Sequence, residues 1–207
     1  SSDDFGRLGE RPTHPTLLDW LARELIANEW SMKAMHRLIV TSSAYRMSST
    51  YNEAAFLADP KNDLFWRFDL RRLSGEELRD SILAVSGELN LEMGGPSVFP
   101  PLPAAVLATA SRPNEAWGSS TPRESSRRSL YIFSKRSLRF PFLEAFDQPD
   151  TDRPCAVRFD TTVPTQSLMM LNSDFLNDQA LKMSQRLQRE QPDSVNEQVQ
   201  RGLELVL

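Results

Sequence analysis

Cysteine and histidine are scarce in this sequence, which contains one cysteine, Cys155, and two histidines, His14 and His36. A single cysteine cannot form an internal disulfide bond, and it excludes the cysteine-rich zinc sites. No apolar run approaches the roughly 18 residues that a membrane-spanning helix needs. The formal net charge of −4 is unlike that of general nucleic-acid binders, whose domains are usually strongly basic. We therefore expect neither a membrane span nor nucleic acid as a partner.

Recognisable enzyme motifs are also missing. The sequence has no Cys-x-x-Cys-His haem attachment, no glycine-rich phosphate loop, no Gly-x-Ser-x-Gly and no His-Glu-x-x-His. The loop Asp147–Asp152 carries three aspartates, but it lacks the turn glycine and the terminal glutamate of an EF-hand loop. We expect these aspartates to form turns and ion pairs, and we predict no metal site.

Helical periodicity dominates what is present. The chain has 207 residues, of which 40% are hydrophobic and 25% charged, as in globular proteins. Apolar residues recur at helical spacing after Pro15, Ser31, Ser74, Pro164 and Ser194. Ser74 and Ser194 are each followed three residues later by a glutamate, which predicts a capping box at both helix starts.

Prolines interrupt this pattern in the middle of the chain. Six of them lie between Pro96 and Pro122, so residues 96–122 are predicted to form an irregular excursion. The best strand candidate is Leu130–Phe133. The predicted fold is therefore mainly α: one irregular helical domain over residues 1–207, with long proline-rich loops and at most a small β element.

Positive charge is concentrated in Arg123–Arg139, where six basic residues accompany one glutamate. Arginine forks of this kind hold sulfate, carboxylate or phosphate groups in two-pronged hydrogen bonds. The candidate anion-binding residues are Arg123, Arg127, Arg128, Arg136 and Arg139. The alternative is that these arginines bond carboxylates and helix ends elsewhere in the chain.

Several ordered strings are more specific than any single motif. They are Asp4–Glu10, His14–Ala22, Trp30–Ser43, Tyr45-Arg46, Trp66-Arg67, Arg71–Leu73, Leu78–Leu83, Met93–Pro96, Arg127–Tyr131, Thr161–Leu168 and Leu171–Ser173. In this order they closely resemble the planctomycete domain of unknown function found at the C-terminal end of large cytochrome-c-associated proteins. The resemblance covers nearly the whole chain.

The resemblance implies a context and no reaction. It implies an exported (periplasmic or cell-surface) protein whose c-type haem belongs to an upstream domain, so that no cofactor is expected in this chain. The upstream domains of the same polypeptide are then the expected partners. Relatives usually continue past the position of Leu207, which suggests a fragment of a larger multidomain protein. No catalytic residues are established for such domains, so none is assigned.

The physical content of the matching strings is mainly structural. Thr161 and Thr162 are expected to cap the helix that Pro164 opens, and Gln166 is expected to reach back to the same N–H donors. Arg71, Arg72, Arg79 and Asp80 are expected to form a polar knot beside the helix that Ser74 caps. His36, four residues after Met32, is expected to be a hydrogen-bonded core histidine.

Two classes of function remain open. The first is a non-catalytic scaffold or interaction module, which predicts exposed apolar surface on the isolated chain. The alternative is a carbohydrate-active hydrolase, or a binder of anionic (sulfated) glycans. The candidate polar cluster for a site is Asp4, Arg7, His36, Arg72 and Gln166.

Overall fold

The computed structural model describes residues 6–207, and this part of the chain contains ten α-helices. They are α1 Pro15–Ala27, α2 Met32–Val40, α3 Glu53–Ala58, α4 Gly75–Ser86, α5 Ala104–Leu107, α6 Pro122–Ser125, α7 Pro141–Ala145, α8 Pro164–Leu171, α9 Asp174–Glu190 and α10 Val195–Val206. Short 3₁₀ helices span Gly6–Leu8, Pro113–Glu115 and Ser129–Tyr131. Within residues 6–207, β structure is limited to three isolated bridges. The prediction of a mainly α fold with at most a small β element is confirmed.

The chain divides into two compact units, with the boundary between Arg71 and Arg72. Whether residues 1–207 constitute one module stays a prediction. The first unit contains α1, α2 and α3. Pro15 stands at the start of α1, where its missing N–H costs nothing, and the Ser31 side chain accepts from the Ala34 N–H at the start of α2. The turn between α1 and α2 passes through Glu29 and Trp30, whose φ values are 51° and 61°.

The second unit contains α4 to α10 and the main hydrophobic core. Phe142, Leu143 and Phe146 of the α7 region are buried there against residues of α4 and α9, among them Leu78 and Phe175. Gly75 lets α4 approach α7 closely, because a Cβ on it would lie 3.0 Å from the Phe146 Cβ and 3.2 Å from a Leu143 methyl group. This packing of α4, α7 and α9 forms the core of the second unit.

Local capping in the second unit follows the sequence with two exceptions. The predicted box at Ser74 is present, with the Ser74 hydroxyl accepting from the Glu77 N–H and the Glu77 carboxylate accepting from the Ser74 N–H. At α10, Ser194 accepts from the Glu197 N–H, which is one half of the predicted box. At α8 the prediction of threonine caps was wrong: the N-cap is Val163, and the Gln166 side chain accepts from the Val163 N–H at 3.2 Å.

The predicted strand Leu130–Phe133 was also wrong. Ser129–Tyr131 forms a 3₁₀ helix, and only Ile132 makes a parallel bridge, with Val98. The physical reason lies outside the segment, because the Ser129 N–H and hydroxyl both donate to the Asp80 carboxylate, which holds the chain in a tight turn there. A run of β-formers was thus overridden by a tertiary contact.

Residues 96–122, predicted to form an irregular excursion, contain α5 and the 3₁₀ helix Pro113–Glu115, and side-chain contacts anchor them. Phe99, Trp117 and Phe133 form an aromatic cluster with ring centroids 5.0 to 6.3 Å apart. The Trp117 indole donates to the Pro100 carbonyl at 2.8 Å, and the Lys135 ammonium donates to the Ala116 carbonyl at 2.6 Å. Among the described residues, no helix has the length and the apolarity to cross a bilayer.

Candidate functional site

The five residues of the candidate polar cluster fall in different parts of the chain. Asp4 lies outside the described residues. Arg7, in the first 3₁₀ helix, and His36, on α2, are both exposed. The expectation of a core histidine was wrong, because the adjacent Met35 takes the buried position on that helix. Arg72 and Gln166 lie in the second unit, where the structure brings them to the same feature.

That feature is the C-terminal end of α7. The Arg72 guanidinium donates to the Asp147 carboxylate at 2.7 Å and lies over the Phe146 ring, 5.2 Å from its centroid. Gln166, which is buried, donates to the Ala145 carbonyl at 3.0 Å. Both side chains therefore satisfy groups at a helix end, where backbone carbonyls have no partner within the helix.

Asp147 extends this arrangement to the string Thr161–Leu168. Its carboxylate accepts from the Thr161 N–H at 2.8 Å and from the Thr161 hydroxyl at 2.9 Å. These bonds, the Thr161 N–H first, lower the pKa of Asp147, and the Arg72 charge adds to the effect. The hydroxyl predicted to cap α8 is instead a donor to Asp147. These hydrogen bonds hold the segment before α8 against the C-terminal end of α7.

A second network is buried beneath α4. Arg79 is only 2% exposed, and its guanidinium donates to the Arg127 and Ser125 carbonyls and to the Ser129 hydroxyl, at 2.5 to 3.1 Å. Desolvation lowers the pKa of Arg79 to about 10, and the neighbouring Asp80 charge opposes that fall. Of the four residues expected to form a polar knot, Arg71, Arg72, Arg79 and Asp80, this network contains Arg79 and Asp80, whereas Arg72 binds Asp147.

Arg127, one of the candidate anion-binding residues, is buried next to that network. Its guanidinium lies 3.8 Å from the Tyr131 ring centroid and donates to the carbonyls of Glu92, Gly94 and Pro96. The Tyr131 hydroxyl also accepts from the Gly94 N–H at 2.8 Å. The Arg127 terminal donors thus hold a glycine turn, which explains the otherwise isolated string Met93–Pro96.

The other four candidate arginines lie in three different surroundings. Arg139 bonds Asp150 at 2.6 Å, and Arg136 pairs with Asp152 at 3.3 Å. Arg128 reaches the Met93 sulfur, and Arg123 lies exposed on α6. Carboxylates of the loop Asp147–Asp152 therefore engage arginines. Binding of an anionic glycan at this stretch stays a prediction.

The titration behaviour of the acids fits ion pairs and caps. Among the described residues, the carboxyl groups of Glu124, Asp147, Asp150 and Glu190 have lowered pKa values. The causes are hydrogen bonds from backbone or side-chain donors, the first of them being Thr121 for Glu124 and Arg186 for Glu190. A lowered pKa keeps a carboxylate charged, whereas a general acid near neutral pH needs a raised one. In the described part of the chain, no group of three or more His, Cys, Asp and Glu side chains is arranged to hold a metal ion.

Exposed apolar surface is the feature that these networks do not explain. The accessible area of the chain is 15,523 Å². Large apolar side chains contribute on both units, for example Ile26 and Trp30 on the first, and Leu168 and Val199 on the second.

One concave site lies within this surface. An apolar groove of about 290 Å³ runs between α9 and α10. It is lined by Ala180, Met183, Ser184, Leu187, Val195, Gln198, Val199 and Gly202. None of these eight side chains is charged, so the groove is suited to an apolar side chain or helix and not to an ionic ligand.

The fold and these sites define a mainly helical protein with structural polar networks and with large apolar side chains exposed on both units. The chain belongs to the family described as "PSD1: Protein of unknown function (DUF1553)", whose model matches residues 1–207. Searches of curated proteins and of solved structures gave no match.

Proposed function

We propose that this domain is a non-catalytic interaction module that packs its exposed apolar surfaces against other protein surfaces. The observation that carries the proposal is the exposure of large apolar side chains on both units, such as Trp30 at 69% on the first and Leu168 at 57% on the second. Large exposed apolar patches mark surfaces that a protein partner covers.

Trp30 is the residue that best fits the role of an anchor. Its side chain is 69% exposed, although burial of an indole is strongly favourable. Its backbone has a φ of 61°, a left-handed conformation that costs a bulky residue about 1–2 kcal/mol. The chain therefore accepts backbone strain to hold a tryptophan in solvent. Tryptophan is also the side chain most enriched among the residues that dominate binding energy at interfaces.

The resemblance of the ordered strings supplies the proposed context. In that context the module lies at the C-terminal end of a large exported planctomycete protein, outside the cytoplasm. Its partners are the upstream domains of the same polypeptide, one of which carries c-type haem. The haem belongs to that domain, and this chain provides a surface and no ligand to the iron.

Hydrogen exchange tests the proposal directly. The exchange of backbone amides in α1 and α2 is compared between the 207-residue chain and the complete polypeptide. We expect slower exchange around Ile26–Val40 in the complete polypeptide, because partner surface covers Trp30 and its neighbours. The internal control is α4, whose buried face around Leu83 is covered in both samples. Equal amide-exchange rates throughout α1 and α2 in the two samples would refute the proposal that the upstream domains are the partners.

A further inference from the structure

We propose that Met93 is a site of reversible oxidation, at which Arg128 and Tyr131 hold the oxygen of the methionine sulfoxide. The oxidant is hydrogen peroxide, and the modified group is the thioether sulfur. The site lies in the second unit, at the turn Met93–Pro96 that Arg127 holds through backbone carbonyls. This inference does not depend on the proposed interaction surfaces, because it concerns other residues.

The Met93 side chain is open to solvent. It is 70% exposed, whereas Met32 and Met47 are 58% and 39% exposed. Among the residues that the structure describes, Met93 is the most exposed methionine. A small polar oxidant therefore reaches its sulfur without any opening of the fold.

Two hydrogen-bond donors already stand at this sulfur. The Arg128 Nη1 atom lies 3.9 Å from the Met93 Sδ atom, and the Tyr131 hydroxyl lies 3.7 Å from it. A thioether is a weak acceptor, so these contacts contribute little while the sulfur is reduced. Among the described residues, no carboxylate pairs with the Arg128 guanidinium. Its charge therefore faces the sulfur without a competing acidic partner from that part of the chain.

The two distances match the geometry of a hydrogen-bonded sulfoxide. A sulfur–oxygen bond is about 1.5 Å long, and hydrogen bonds to its oxygen measure about 2.7 Å from a hydroxyl and about 2.9 Å from a nitrogen. With an angle of about 120° at the oxygen, the sulfur lies roughly 3.7 Å from the hydroxyl and roughly 3.9 Å from the nitrogen. These are the separations that the reduced side chain already shows. An oxygen on the side of either donor is therefore at hydrogen-bond distance from it without a shift of the chain.

The reaction with hydrogen peroxide is balanced without a further reactant. A lone pair of the Met93 sulfur attacks one peroxide oxygen, so the sulfur–oxygen bond forms as the oxygen–oxygen bond breaks. The departing hydroxide takes the proton that the transferred oxygen carried and leaves as water. The sulfur loses two electrons and the peroxide gains them. Negative charge develops on the peroxide oxygens, and the Arg128 and Tyr131 donors lie where they stabilise it.

Oxidation is expected to strengthen the hydrogen bonds of the turn. The Tyr131 hydroxyl accepts from the Gly94 N–H at 2.8 Å, and the Tyr131 carbonyl accepts from the Val98 N–H at 2.8 Å. A sulfoxide oxygen is a stronger acceptor than a thioether, and a hydroxyl that donates strongly also accepts more strongly. The modified Met93 side chain therefore holds the Tyr131 hydroxyl more firmly to the Gly94 amide.

Peptide mapping by mass spectrometry during treatment with dilute hydrogen peroxide tests the reactivity of the site. We expect Met93 to be oxidised at least about threefold faster than Met32, which is more than their similar exposures explain. Arg128→Gln removes the cation and is expected to bring the two rates together. Arg123→Gln is the matched control, because Arg123 is an exposed arginine of α6, and it should keep the wild-type rates. Equal rates for Met93 and Met32 in wild type overturn the proposal.

Hydrogen exchange of the Gly94 amide tests whether the sulfoxide is bound. We expect this amide to exchange at least about threefold more slowly after oxidation, and to recover its original rate after treatment with methionine sulfoxide reductases. Met93→Gln places a carboxamide oxygen near the same donors and is expected to slow the exchange without peroxide. Met93→Leu, treated with peroxide in parallel, controls for oxidation elsewhere and should show no slowing. A Gly94 amide that exchanges as fast in oxidised wild type as in the reduced chain, or faster, overturns the proposal.

Discussion

Replacement of the buried Arg79 by methionine tests whether the network beneath α4 stabilises the fold. Methionine keeps a long, flexible side chain of similar reach but removes every donor. The substitution leaves the Ser125 and Arg127 carbonyls and the Ser129 hydroxyl without the guanidinium that now donates to them. An unsatisfied buried acceptor costs about 1–3 kcal/mol, so the three together cost roughly 6 kcal/mol.

Part of this destabilisation is offset, because the buried cation of Arg79 is itself unfavourable in the folded state. Desolvation lowers the pKa of Arg79 from 12.5 to about 10, which corresponds to about 3 kcal/mol against the charged form in the folded state. The substitution by uncharged methionine removes this unfavourable contribution. The balance predicts that Arg79→Met lowers the free energy of unfolding by about 3 kcal/mol.

Urea denaturation followed by far-ultraviolet circular dichroism measures this change, with the denaturant slope checked for constancy. Arg112→Met is the matched control, because Arg112 is 80% exposed and its one ion pair, with Glu115, lies on the surface. We expect that control to change stability by less than about 0.5 kcal/mol. If Arg79→Met were as stable as Arg112→Met, the hydrogen bonds of the network would contribute no net stability and the reasoning would be refuted.

Three further predictions concern other parts of the chain. Trp30→Gly is expected to leave the free energy of unfolding unchanged or to raise it by up to about 1 kcal/mol, because glycine removes the left-handed strain but gains entropy in the unfolded chain. In the complete polypeptide, the same variant is expected to lose the slower amide exchange of α1 and α2. Asp147→Asn is expected to make the free energy of unfolding fall less steeply in acid. The lowered pKa of Asp147 stabilises the folded state at pH values above the unfolded pKa of about 4. This stabilisation is lost as the pH falls through the pKa that Asp147 has in the folded state. Gly118→Ala is expected to destabilise the chain by about 1–3 kcal/mol, because its Cβ would lie 2.7 Å from the Phe99 ring. Thermal and urea unfolding measure the stability of all three variants, and the urea series for Asp147→Asn runs from neutral to strongly acidic pH. Amide exchange in the complete polypeptide measures the second outcome for Trp30→Gly.

Each of these predictions has its own control. For Trp30, the exposed Leu70 replaced by glycine tests whether loss of any large apolar side chain gives the same result. For Asp147, the exposed Asp193 replaced by asparagine should keep the wild-type pH profile. For Gly118, the neighbouring Ser119 is exposed, and its replacement by alanine should be neutral. A Trp30→Gly variant that loses several kcal/mol would show that the indole serves the fold and not a partner.

Much of the secondary structure was predictable because its causes are local. Proline at the first position of α1 and α8, and serine caps at α2 and α4, act within one helical turn. Periodicity predicted α10 for the same reason. The family strings could be recognised from their order alone, and the mainly α fold followed from these signals.

The candidate site was less predictable, because its contacts join residues far apart in the chain. Arg72 and Gln166 reach the same helix end only because α7 and α8 pack together. Arg127 is one of several arginines in a basic stretch, and nothing in that stretch shows that its donors hold the turn Met93–Pro96. Similarly, the tight turn at Ser129 depends on Asp80, which lies 49 residues earlier.

The sequence by itself determined the mainly α class and the starts of α1, α2 and α4, since these depend on neighbours a few residues apart. Only the tertiary structure decided which polar residues are buried, which arginines are already engaged and which apolar faces stay open. Periodicity marks a helix face as apolar, but it does not say whether the rest of the chain covers that face. On α4 the apolar face is covered by α7 and α9, and on α10 it remains in solvent.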